Sequence, residues 1–181
     1  MDMKLIGLLE EKRSVILKRW FEAVIDTYPT DTSGFMKKQK DQFSNPVGYT
    51  ISQGIESILD ALMEGKELAS GLSFLDDIIR VRAIQDFTPS KAMSFIFLLK
   101  NVIREELEKE IRQRQVYDDL LEFESRIDNL ALLSFDKYSK CREQLYKLKT
   151  DELQRMTFKL LKKANLMSEI PGQEFERRDK E

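Results

Sequence analysis

Histidine is absent from the 181-residue sequence, and cysteine and tryptophan each occur once. Without imidazole there is no Ser-His or Cys-His dyad, no histidine-ligated haem or zinc, and no side chain with an ordinary titration near neutrality. The single thiol, Cys141, can neither close an internal disulfide nor hold zinc alone, which points to a reducing, cytoplasmic setting. Seven scattered glycines supply no glycine-rich phosphate loop. Long apolar runs are missing too. The longest, Ala92 to Leu99 with Ser94 inside it, falls far below the ~18 to 20 residues that cross hydrocarbon. The start of the chain meets Glu10 too soon for a secretory leader, so an intracellular protein is expected. Neither sign of charge dominates: 30 Lys and Arg stand against 32 Asp and Glu, giving −2 and no global attraction to nucleic acid or anionic lipid.

What is present is 41% hydrophobic and 34% charged residues, against a usual charged share of ~25%, a balance suited to long amphipathic helices. The expected fold is an all-α bundle of five or six helices. Apolar residues at three-, four- and seven-residue spacings predict one helix over Met3 to Tyr28, stopped by Pro29. Asp31 to Ser44 reads as a polar connector holding at most a short helix around Phe35 to Phe43. Asn45-Pro46 opens a second helix that ends near Gly65, and a third covers Phe74 to Asp86. Thr88 and Pro89 start a fourth, apolar nearly all round to Leu99 and amphipathic through Ile111. A fifth begins near Tyr117 and could reach Lys163. Its seam of Tyr138, Cys141, Leu145 and Leu148 meets Glu152 in register and resumes at Leu153, Met156 and Leu160, which reads as a stutter or a break. The expected division is a helical body over 1–134, a basic helical extension over 135–168 and a fraying tail over 169–181.

The carboxylates Glu105, Glu106, Glu108 and Glu110 interleave with Arg104, Lys109 and Arg112, the pattern of a solvated face with i,i+4 pairs rather than a metal site. Cys141, flanked by Lys140 and Arg142, reads as a seam residue in preference to a redox thiol, because sequence neighbours point apart on a helix. From Lys137 to Lys163 nine basic residues face three acidic ones. Such a helix is either an exposed basic face or a docking element for a protein partner; no interleaved aromatics favour nucleic acid. Around the third and fourth helices, Asp76 with Arg80 and Arg82 with Asp86 form i,i+4 pairs beside a tight turn. An arginine capping carbonyls at that corner is preferred to ligand recognition.

The stretch Arg80-Val81-Arg82-Ala83-Ile84-Gln85-Asp86-Phe87-Thr88-Pro89-Ser90-Lys91-Ala92, followed by Phe95-Ile96-Phe97-Leu98-Leu99-Lys100, resembles the N-terminal sensor domain of RsbRD-type proteins. The likeness extends to Leu8-Leu9-Glu10-Glu11-Lys12, to Trp20-Phe21 and to Asn45-Pro46-Val47-Gly48-Tyr49, and covers roughly Leu5 to Ser134. Phe135-Asp136-Lys137-Tyr138 and Cys141-Arg142-Glu143 resemble standalone members from sulfate-reducing and related bacteria. In that family such domains open co-antagonists of the switch kinase RsbT in a bacterial stress complex, and related N-terminal domains are globin-like without haem. Full-length co-antagonists carry a phosphorylatable STAS domain that this chain is expected to lack. The resemblance therefore implies a sensory or docking domain whose output arm is supplied elsewhere.

The combined expectation is a non-enzymatic signalling module with no cofactor and no metal. Its partner is a protein, either a STAS-type or kinase-type regulator, or a second copy joined through the C-terminal helix. The rival is an accessory or assembly subunit of a redox complex in sulfur metabolism. Arg80, Arg82, Asp86, Cys141, Leu145 and Leu148 are the interaction candidates.

Overall fold

The computed structural model describes residues 3–38, 41–65, 73–85 and 87–164. Every regular element among them is an α-helix: α1 (Met3–Glu11), α2 (Arg13–Ile25), α3 (Thr30–Lys38), α4 (Pro46–Glu64), α5 (Ser73–Ile84), α6 (Pro89–Glu106), α7 (Glu108–Arg114) and α8 (Tyr117–Lys163). The chain divides into two compact units, Met1–Arg142 and Glu143–Glu181. The expected fraying tail lies outside the described residues.

Punctuation in the sequence accounts for several boundaries. The Asn45 side chain accepts from Gly48 N–H and Pro46 occupies the first turn, so α4 begins there. It ends at Gly65, whose φ of 67° is a left-handed conformation that glycine adopts without a Cβ penalty. Thr88 and Pro89 open α6 in the same way.

Two expected helices are each broken at a single residue. The helix expected over Met3 to Tyr28 parts at Lys12 (φ −105°, ψ 11°) into α1 and α2, and the one expected through Ile111 parts at Leu107 (φ −109°, ψ 11°) into α6 and α7. Neither residue is a helix breaker, and Lys12 N–H to Leu8 O (3.1 Å) and Leu107 N–H to Ile103 O (2.9 Å) carry the hydrogen-bond ladder into each break. Tertiary contact is the cause. Lys12 Nζ donates to Glu106 O at 2.7 Å, at the C-terminal end of α6, and pairs with Glu110 at 2.7 Å, which joins one break to the other. The expected connector after Pro29 is also corrected, since Thr30–Lys38 is helical. Asp31 in its first turn and Lys37 and Lys38 in its last complement the helix dipole, and Ser33 and Met36 bury.

In the first unit α2 packs against α4 and α6, and α4 against α5. Trp20, fully buried, donates its indole N–H to Phe95 O at 2.6 Å and so fixes α2 on α6. Gly54 brings α4 close to α5; a Cβ there would overlap the Ile78 side chain. The first part of α8 closes the core with Phe123, Ile127, Leu130 and Tyr138. Across this body the acids pair between helices more than along them: Glu105 and Glu106 with Arg19, Glu124 with Arg104, and Asp128 with Lys100, while Arg112–Glu108 and Arg126–Glu122 are i,i+4 pairs. Asp76 pairs with Lys137 of α8, not with Arg80.

Candidate functional site

Arg82 sits in the last turn of α5 and is fully buried. Its guanidinium joins α5 to two other chain segments. Nη1 donates to Lys91 O at 2.9 Å and, more weakly, to Ala92 O at 3.5 Å, in the first turn of α6. Nη2 donates to Thr27 Oγ1 at 3.0 Å and to Val24 O at 3.4 Å, at the C-terminal end of α2. Rings surround the charge. Arg82 Cζ lies 5.4 Å from the Tyr28 centroid, 5.0 Å from Phe87 and 5.3 Å from Phe95, and Tyr28 meets Phe87 edge to face at 5.0 Å. A guanidinium over ring faces gains ~2 kcal/mol or more once desolvated.

Burial lowers the Arg82 pKa from its ordinary value against the opposing pull of Tyr28. Burial likewise raises the Tyr28 phenol against the favourable Arg82 charge. Arg82 Nε and the Tyr28 hydroxyl are buried and without a hydrogen-bond partner among the described residues, although each group feels the other's field.

The same corner seats α8. Tyr138, buried, donates its hydroxyl to Phe87 O at 2.5 Å; Arg142 donates to Ala83 O at 3.0 Å; and Lys137 reaches Asp76. The arginine corner and three successive anchors on α8 thus share α5 and the turn that follows it.

The interaction candidates fall in different places. Arg82 is interior, whereas Arg80 is exposed with no ion pair among the described residues. Asp86 lies outside the described residues. Cys141 is half-buried between the Tyr138 and Arg142 anchors. Leu145 and Leu148 belong to the second unit.

In that unit, residues 143–163 form unbroken α-helix, so the expected stutter or break near Glu152 is a change of face without a break. Tyr146, Leu153 and Leu160 recur every seven residues, with Met156 beside them, and form one exposed apolar stripe; Leu153 is 64% and Leu160 65% exposed. Leu148 lies about 140° around the helix from Leu153, off this stripe. The segment 143–163 carries six basic and three acidic residues.

Among the described residues no cluster of three or more Cys, Asp or Glu side chains is placed to hold a metal ion, and no helix is long and apolar enough to cross a membrane. The aromatic cage of Arg82 and the heptad through Tyr146 were not picked out from the sequence; the seven-residue spacing was the signal available for the second. The family model described as the RsbT co-antagonist protein rsbRD N-terminal domain matches residues 14–153. No curated protein and no solved structure matches the chain.

Proposed function

The chain belongs to the RsbT co-antagonist protein rsbRD N-terminal domain family, and from that premise we propose that it is a non-enzymatic regulatory module whose helical body controls the docking of a protein partner on residues 143–163. The family is one of signalling regulators. The observation that carries the docking reading is the exposed stripe of Leu153, Met156 and Leu160 on a helix with six basic residues against three acidic ones. Apolar residues at heptad spacing suit a second helix, and the surrounding lysines and arginines suit one with an acidic face. The anchors at Tyr138 and Arg142 supply the link to the body, because they hold α8 on the corner that Arg82 organises.

A second copy of the chain is the other occupant that heptad spacing admits, though two basic helices side by side repel. Affinity capture from the native lysate, with the intact chain and with a chain ending at Arg142 as baits, tests the reading. A regulator retained by the intact chain alone supports it, and identical captured sets contradict it. Sedimentation velocity of the intact chain by itself separates the two occupants, since self-pairing gives a dimer that the shortened chain loses.

A further inference from the structure

We propose that the groove between α2 and α4 binds a free amino acid with a large apolar side chain. The groove has a volume of about 470 Å³, within the ~300 to 1,000 Å³ range of small-molecule sites. Its lining has two chemistries. Leu17 and Phe21 of α2 and Ile55 of α4 supply apolar surface. Lys18 and Glu22, on the same face of α2, supply one charge of each sign, and Tyr49, Ser52 and Gln53 of α4 add two hydroxyls and an amide.

The charges around the groove differ in their commitments. Arg13 binds Asp60 at 2.9 Å and Glu56 at 3.0 Å, and Lys37 binds Asp26 at 2.6 Å. The side chains of Lys18 and Glu22, by contrast, make no ion pair or hydrogen bond with any described residue, although they stand four apart on one helix, with the cation in the less favourable N-terminal position. Tyr49, Ser52 and Gln53 likewise have no side-chain hydrogen bond to a described residue. A concave surface with an unpaired cation, an unpaired anion and an apolar wall matches a zwitterion bearing a hydrophobic group. The carboxylate goes to Lys18, the ammonium to Glu22, and the side chain to Leu17, Phe21 and Ile55.

Such a ligand would bridge α2 and α4, and α2 is the helix whose C-terminal end receives Arg82. The proposal adds a stimulus to the docking reading without resting on it, because binding in the groove is measurable whether or not α8 has a partner. The test uses the full chain. L-phenylalanine and L-leucine are titrated by calorimetry and by amide NMR, beside phenethylamine, which lacks the carboxylate, and 3-phenylpropionate, which lacks the amine. Saturable binding with shifts in α2 and α4 is expected. Each truncated analogue should bind about tenfold more weakly than L-phenylalanine, and Lys18→Gln and Glu22→Gln should each weaken the amino acid by a similar factor. Neither side chain pairs with a described residue, so the melting temperatures of the variants should match wild type. No response to either amino acid at millimolar concentration overturns the proposal. So does equal binding of the analogues, or wild-type affinity in both variants.

Discussion

Replacing Arg82 with alanine removes the only charged side chain that is fully buried among the described residues, and with it the joint between α2, α5 and α6. The two shorter hydrogen bonds, to Lys91 O and Thr27 Oγ1, are charge-assisted and worth roughly 1.5 to 3 kcal/mol each. The three ring contacts add about 2 kcal/mol, and the vacated volume adds a cavity penalty. Against these stands relief from burying a cation, several kcal/mol in its own right. Few acceptors are orphaned. Val24 O keeps Thr27 N–H at 3.2 Å and the Thr27 hydroxyl at 2.6 Å, and Lys91 O keeps the Ser94 hydroxyl at 2.8 Å. The net cost of Arg82→Ala is therefore about 3 to 5 kcal/mol. Arg82→Met, which refills most of the volume and removes the buried charge, should cost about 1 to 2 kcal/mol. Arg82→Lys keeps the charge, but one ammonium cannot reach both α2 and α6, so it should fall between the two. Urea unfolding followed by circular dichroism gives the ranking, and the alanine variant should melt roughly 6 to 20 °C below wild type at ~2 to 4 °C per kcal/mol. A loss under about 1 kcal/mol for alanine, or wild-type stability for lysine, refutes the reasoning.

Three further outcomes follow from single contacts. Gly54→Ala should destabilise by about 1 to 2 kcal/mol despite alanine's better helix propensity, because its Cβ meets Ile78. Adding Ile78→Val should recover part of that loss in a double-mutant cycle, and purely additive effects would count against the close α4–α5 approach. Arg104→Ala leaves the buried Glu124 carboxylate without the guanidinium that donates to both its oxygens at 2.6 Å, so a cost of about 2 to 3 kcal/mol is expected by chemical denaturation. Glu110 has its pKa held below the ordinary value, first by the Lys12 hydrogen bond and then by its own backbone. A depressed folded-state pKa contributes stability above the unfolded value and loses it as pH falls through the folded one. Lys12→Met should therefore move the Glu110 carboxyl upward in an NMR titration and start acid destabilisation at higher pH.

Local grammar made much of the fold legible. Asn45-Pro46, Gly65 and Thr88-Pro89 mark the boundaries of α4 and α6 because a cap, a left-handed terminus and a proline act within a few residues. The breaks at Lys12 and Leu107 left no such mark, since their cause is a contact between residues 94 apart in sequence. α3 was hidden by its polar composition and by Gly34; burial of Ser33 and Met36 against the body holds it. Arg82 stood out as a corner residue, but its cage depends on Tyr28 and Phe95, brought together only by tertiary packing. The α2–α4 groove left no mark in the sequence, because no sequence pattern shows which polar side chains lack partners.

The stripe on α8 is tested most directly by measuring the affinity of the captured partner, once purified, for three variants of the intact chain: Leu153→Asp, Leu160→Asp and Leu148→Asp. Leu153→Asp and Leu160→Asp should each weaken binding at least about tenfold, while Leu148→Asp, on the far side of the helix, should leave it near wild type. Equal effects at all three positions, or none at any, would contradict docking through this face.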